Sequence, residues 1–214
     1  FDHGGVSADG GGGAGAGEEA AGGLKAALLQ LNAIMCGVQG SIGTIENASS
    51  EVATGSSDRG VMVWDVGAGS GSVGLEAARI ARDGMVHAIE MDSDDHHLIQ
   101  ENAQRFGVTN LRAVLGKAPE AWGRLPDPDA IYVGGSGRDV SMLVEEAWKR
   151  LKSGGRLVTA CNSIENLAAV HAMLRARSPD AAYWLVTIAR GIEQMDRIRF
   201  ESLNPTFLIA ATKP

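Results

Sequence analysis

The sequence has few cysteines, no long apolar run and fewer basic than acidic residues, and each shortage excludes a class of protein. Cys36 and Cys161 form no C-x-x-C motif, which favours a reduced protein of the cytoplasm. No run of about eighteen apolar residues exists, so we expect no membrane-spanning helix and no membrane partner. The formal net charge of -7 argues against a general nucleic-acid binder.

A metal site is also not expected. His96 and His97 are adjacent, so their side chains point in different directions on a helix, and a solvated helix face is the simpler interpretation. Asp92, Asp94 and Asp95 stand where carboxylates complement the start of a helix, and we predict that Ser93 is its N-cap.

The chain divides into two parts of different composition. Residues 1–60 hold 15 of the 29 glycines, so we expect a partly disordered segment with one amphipathic helix over residues 24–35. Residues 61–214 alternate strand and helix patterns, and the 44% hydrophobic content of the whole chain predicts one well-buried domain. Because the first residue is Phe1 and not Met, we expect the chain to be a piece of a longer product.

A glycine turn between a buried strand and a helix dominates the second part. Residues 69–74 satisfy the G-x-G-x-x-G pattern of dinucleotide-binding folds, whereas Asp65-Val-Gly-Ala-Gly-Ser-Gly71 resembles motif I of class I S-adenosylmethionine methyltransferases. Glu90 ends the next predicted strand, where both families need an acid that accepts hydrogen bonds from ribose hydroxyls.

The order of the later elements favours the methyltransferase interpretation. Five β-α units lead into a sixth strand over residues 183–189 and then into two more, over residues 197–202 and 206–211. Because Leu203-Asn-Pro205 is a link of hairpin length, we predict that these last two strands pair with each other. The predicted fold is therefore α/β, a seven-stranded and mostly parallel class I methyltransferase sheet with a C-terminal antiparallel hairpin.

Further motifs narrow the resemblance to one family. The chain is similar to the decarboxylating precorrin-6 C15-methyltransferases of cobalamin biosynthesis, which occur alone or as the C-terminal domain of a bifunctional C5,15-methyltransferase. The more specific matches are Val133-Gly-Gly-Ser-Gly137 after the fourth strand and Arg199-Phe-Glu-Ser-Leu-Asn-Pro205. Ala118-Pro-Glu120 and Leu151-Lys-Ser-Gly-Gly-Arg156 also match.

This resemblance implies methyl transfer from S-adenosylmethionine to carbon 15 of a precorrin, with loss of carbon dioxide from the ring C acetate. It also implies a tetrapyrrole substrate, an oligomer, and fusion to or partnership with a carbon-5 methyltransferase domain. The residues expected to bind the cofactor are Asp65, Gly67, Ala68, Gly69, Ser70, Gly71, Glu90, Met91, Lys117, Ala118 and Gly134.

Because precorrins carry carboxylates, we expect arginine side chains to bind them, and we assign Arg138 and Arg190 to position these carboxylates.

One departure from the family pattern keeps two alternatives open. The family has a Gln-x-Thr-Lys segment close to motif I, where this chain has Val6-Ser-Ala-Asp9 at a much greater distance. The alternatives are a class I methyltransferase for tRNA or a small molecule, and a cofactor-binding but inactive paralogue.

Overall fold

The computed structural model describes residues 60–134, 140–187, 189–202 and 204–214, so the helix predicted over residues 24–35 and Arg138 lie outside them. The strands are β1 Met62–Val66, β2 Met85–Glu90, β3 Leu111–Leu115, β4 Ala130–Val133, β5 Arg156–Cys161, β6 Ala182–Val186, β7 Ala189–Gln194, β8 Arg197–Ser202 and β9 Thr206–Thr212. The helices are α1 Ser72–Ile80, α2 Ser93–Arg105, α3 Val140–Arg150 and α4 Ile164–Arg175, with a 3₁₀ turn at Glu120–Trp122.

Seven strands form one sheet in the order β3-β2-β1-β4-β5-β9-β6. The first five pair in parallel, and β9 runs antiparallel between β5 and β6. Apolar runs such as Ala130–Val133 suit the centre of this sheet because helices cover both of its faces. The predicted class I methyltransferase sheet is confirmed, and the carboxyl ends of its parallel strands meet along one edge.

The predicted pairing of the last two strands is wrong. Arg197–Ser202 pairs antiparallel with Ala189–Gln194 in a separate two-stranded sheet, while Thr206–Thr212 inserts between β5 and β6. Burial explains the choice, because every residue of β8 is exposed whereas β9 is mostly buried. The link at residues 203–205 therefore carries the chain from the hairpin back into the main sheet, and the strand predicted over residues 183–189 ends at Val186.

Helix ends are set by specific polar side chains. Asp92, not the predicted Ser93, is the N-cap of α2, since its carboxylate accepts hydrogen bonds from the backbone N–H groups of Asp94 and Asp95. Asn110 ends α1, because its side-chain amide donates to the carbonyls of Ala78, Ala81 and Gly84. The side chain thus satisfies carbonyls that have no partner within the helix, which ends at Ile80.

The core lies on both faces of the sheet and includes three of the four tryptophans, Trp64, Trp122 and Trp148. Trp64 is fully buried and stacks on Trp122 at a centroid distance of 5.4 Å. The Arg150 guanidinium lies 5.1 Å from the Trp64 ring and donates to the carbonyls of Trp122 and Leu125. Trp148 is also buried, so these side chains are part of the core.

Candidate active site at the carboxyl edge of the sheet

The glycine loop connects the carboxyl end of β1 to the first turn of α1. Gly71, immediately before the helix, has φ 79°, a left-handed conformation that disfavours any residue with a Cβ atom. A Cβ atom there would also lie 3.0 Å from the Ile99 side chain. At Gly69, with φ 52°, nothing lies within 4 Å of a Cβ position, so the loop borders open space.

Hydrogen bonds hold the start of this loop and the strand ends beside it in place. The N–H groups of Gly67 and Ala68 donate to the Ile89 carbonyl at 3.0 and 3.2 Å, which joins the loop to β2. Gly134 N–H donates to the Val66 carbonyl at 2.8 Å and joins β4 to the end of β1. The loop is therefore fixed in shape by its surroundings before any ligand binds.

Glu90 is the acceptor at the mouth of the loop. Its carboxylate is 8% exposed, and one oxygen accepts the Gly69 N–H at 2.8 Å. The other oxygen accepts the N–H groups of Met91 and Asp92 at 2.7 and 3.0 Å. About one of the four lone-pair positions of the carboxylate remains for a ligand, and a further one becomes available if Gly69 is released.

Asp65 lies one layer deeper, beneath the loop. It is 1% exposed, and one carboxylate oxygen accepts the Gly74 N–H at 2.7 Å, while the other has no partner among the described residues. Burial raises the pKa of Asp65 to about 7, against the opposing effect of the Gly74 hydrogen bond and with an added contribution from the Glu90 charge. This unpartnered oxygen suits a ligand that carries a positive charge.

Tyr132 on β4 is the cross-strand partner of Asp65 on β1. Burial, with the Asp65 charge as a second cause, raises the pKa of Tyr132, so its hydroxyl stays protonated. A Cβ atom at Gly134 would lie 2.7 Å from a carbon of this ring. The glycine after β4 therefore lets the tyrosine ring pack against the backbone at the end of the strand.

The predicted site residues differ in how closely they contact Glu90 and the glycine loop. Met91 is 68% exposed, and only its N–H contacts Glu90. Lys117 is exposed and Ala118 half-buried, directly after Gly116, whose N–H donates to the Glu90 carbonyl at 2.8 Å. Arg190 lies exposed on β7.

Sequence reasoning missed two residues that shape the loop. The Asn102 side chain on α2 donates to the Ser70 carbonyl at 3.0 Å, and Ile99, one turn earlier, packs on Gly71. Neither residue belongs to a glycine motif, and only the helical spacing of three between them places both on the face that meets the loop. Tyr132 was missed because an aromatic residue in a buried strand is ordinarily core.

Neither a metal centre nor a membrane-spanning helix is found among the described residues. Within the described ranges, no three His, Cys, Asp or Glu side chains converge as a metal would require. None of the helices described is long and apolar enough to cross a membrane.

The chain is similar to known proteins in both sequence and structure. A family profile described as a precorrin methyltransferase domain matches residues 38–197. A probable cobalt-precorrin-6B C(15)-methyltransferase (decarboxylating) from Pyrobaculum calidifontis is 35% identical over 156 residues, which cover 72% of this chain and 79% of that protein.

Two further proteins carry the bifunctional name. A precorrin-6Y C(5,15)-methyltransferase [decarboxylating] from Sinorhizobium sp is 43% identical over 100 residues, which are 47% of this chain but 24% of that protein. The crystal structure of precorrin-6y C5,15-methyltransferase from Geobacter metallireducens superposes with a TM-score of 0.61 at 30% identity, covering 73% of this chain and 83% of that one.

Proposed function

Because the chain belongs to the precorrin methyltransferase family, we propose that it methylates carbon 15 of a precorrin and removes the carboxyl group of the ring C acetate. The observation that carries this proposal is the glycine loop held at the carboxyl edge by Glu90, above the buried Asp65. In open α/β sheets, ligands bind in the crevice outside the carboxyl ends of the strands. The methyl donor would be S-adenosylmethionine.

The residues present fit this donor. Its α-amino group is cationic, and Asp65 offers a buried oxygen without a described partner. Its ribose presents two hydroxyls, and Glu90 is a partly buried acceptor at the end of β2. Gly69 has open space where any larger residue would place a Cβ atom, which allows close approach of a ligand.

When bound, S-adenosylmethionine supplies an electrophilic methyl group on a sulfonium sulfur. The protein's task is alignment, since holding donor and acceptor in near-attack geometry lowers the barrier by roughly 7–11 kcal/mol. The loop from Gly67 to Gly71 does this by being hydrogen-bonded in place beforehand, and the N–H donors around Glu90 hold its carboxylate in one orientation.

Decarboxylation leaves an electron pair that the conjugated tetrapyrrole can delocalise until a proton arrives, so the protein needs no electron sink of its own. What it must supply is orientation of the acetate. We propose Arg190 for this task, because a guanidinium fork matches a carboxylate and the side chain is exposed on β7. Arg138 is proposed for a second carboxylate on sequence grounds.

Two experiments test the proposal. Calorimetric titration with S-adenosylhomocysteine should show binding that Glu90→Ala weakens by at least tenfold and that the exposed-site control Glu101→Ala leaves unchanged. NADH should not bind. Incubation with precorrin-6B and S-adenosylmethionine should then give a product whose mass reports both methyl gain and carboxyl loss. Binding of the donor analogue without either mass change would contradict the proposed substrate and favour another acceptor.

We further propose self-association through the β6 edge of the sheet. A groove of about 520 Å³ lies between α4 and β6, and its lining is apolar apart from His171 and Tyr183. Trp184 and Leu185 in this groove are 42% and 59% exposed. An exposed edge strand with such side chains favours pairing with another chain. Light scattering should show a smaller particle for Trp184→Lys than for the unaltered protein; equal sizes would contradict self-association through this edge.

A carbon-5 methyltransferase domain is the second partner that we propose.

A further inference from the structure

The β7-β8 hairpin stands at the same edge of the sheet as the glycine loop. Strand β6 is antiparallel to β9, which is antiparallel to β5, so β6 ends at the carboxyl edge, at Val186. The hairpin begins three residues later, at Ala189, and β9 starts back into the sheet from that edge at Thr206. Both ends of the hairpin therefore join the sheet at its carboxyl edge, the edge that also carries the glycine loop.

The register of the hairpin divides its side chains into two different faces. Arg190 lies opposite Glu201, Ile192 opposite Arg199 and Gln194 opposite Arg197, and cross-strand partners share a face. Three arginines and one glutamate therefore lie together. The other face carries Ile198 and Phe200, which are 69% and 71% exposed, and one acid, Glu193. We call the first surface the arginine face.

The arginines of this face are largely available. Glu201 forms an ion pair with Arg199, its neighbour but one along β8. Among the described residues, neither Arg190 nor Arg197 has a hydrogen-bond or ion-pair partner. At about 3.3 Å per residue, the four-residue offset from Arg190 to the level of Arg197 spans roughly 13 Å. The arginine face thus presents a row of guanidinium groups, not a single charge.

We propose that the arginine face binds several peripheral carboxylates of the tetrapyrrole substrate, with Arg197 and Arg199 as positioning residues in addition to Arg190. This inference rests on the proposed function. Strands β1 and β9 are three positions apart in the sheet, a lateral distance of roughly 14 Å. A macrocycle lying across the edge can therefore reach the methyl donor with one side and the hairpin with the other.

Glu201 sets the strength of this site. Its carboxylate competes with the substrate's carboxylates for Arg199, so removing its charge frees a guanidinium without touching the fold. This predicts a gain of affinity, which a merely damaged protein would not show.

The test uses the full chain and uroporphyrin, a stable tetrapyrrole with eight carboxylates, followed by fluorescence. Arg197→Gln combined with Arg199→Gln should weaken binding by about tenfold per arginine and flatten its salt dependence. The lysine pair should restore part of the affinity, and Glu201→Gln should bind several-fold more tightly. Arg82→Gln, which removes an exposed arginine at the opposite edge, is the matched control and should have no effect.

The methyl ester of uroporphyrin separates charge from ring stacking, and it should bind all variants equally weakly. Equal uroporphyrin affinity of the unaltered protein and the double glutamine variant would overturn the inference, as would an equal loss in Arg82→Gln. With precorrin, the double variant should raise KM more than it lowers kcat. If precorrin is converted and the hairpin variants behave normally, the inference fails while the proposed function stands. If S-adenosylhomocysteine binds but no precorrin is converted, the proposed function fails first.

Discussion

Replacing Asp65 by Asn should change how the stability of the protein depends on pH. Burial raises the pKa of this carboxyl from 3.8 to about 7, so the folded protein holds a proton that the unfolded chain has already released. The folded state is therefore destabilised progressively as pH rises from about 4 to about 7, and the penalty is constant above that. Three pKa units correspond to about 4 kcal/mol.

The Asn variant should lack this slope. The side-chain oxygen of the asparagine can still accept the Gly74 N–H. The asparagine NH2 group would take the place of the protonated carboxyl oxygen, which has no partner among the described residues. Near pH 4 we expect the two proteins to agree within about 1 kcal/mol, and at pH 8 we expect Asp65→Asn to be about 3 kcal/mol more stable.

Urea unfolding between pH 4.5 and 8 measures this difference, with the exposed-site variant Asp83→Asn as control. The variant should gain stability at pH 8 and lose cofactor affinity together, since an ionised Asp65 is the proposed partner of the donor's amino group. Binding of S-adenosylhomocysteine at pH 6 should release a proton, measured by calorimetry in buffers of different ionisation enthalpy. Parallel stability curves for Asp65→Asn and the unaltered protein would refute the reasoning.

Three other substitutions test the surroundings of the site. Gly71→Ala should destabilise by about 1–2 kcal/mol and abolish cofactor binding, because the left-handed backbone and the Ile99 contact both oppose a Cβ atom; unchanged binding by calorimetry would contradict this. Asn110→Ala removes three hydrogen bonds to carbonyls and should lower the free energy of unfolding by about 2–3 kcal/mol in urea, with cofactor affinity retained. Trp122→Ala should lower the free energy of unfolding by about 3–5 kcal/mol and change the fluorescence of Trp64, which loses its stacking partner. A loss below about 1 kcal/mol would argue against the core position of Trp122.

Much of the fold could be predicted from the chain's local patterns. Buried runs such as Ala130–Val133 and the glycine turn after Asp65 are short-range features, because they depend on apolar periodicity and on backbone freedom. The position of Glu90 at the end of β2 follows from the same alternation. These features sufficed to predict the sheet, its carboxyl edge and the loop at that edge.

Pairing and electrostatics required the tertiary structure. The short link after Ser202 predicts a hairpin with β9, but β9 is buried between β5 and β6, so β8 pairs with β7 instead. A local turn rule was overridden by burial of apolar surface, which depends on distant strands.

The site shows the same division. The sequence by itself determined that a glycine loop and two acids, Asp65 and Glu90, would stand at one edge of a parallel sheet. Only the tertiary structure decided that Asp65 is buried with an unpartnered oxygen, that Asn102 braces the loop, and that three arginines share one face of a hairpin. Desolvation and cross-strand register arise between residues far apart in the chain, so no local pattern could contain them.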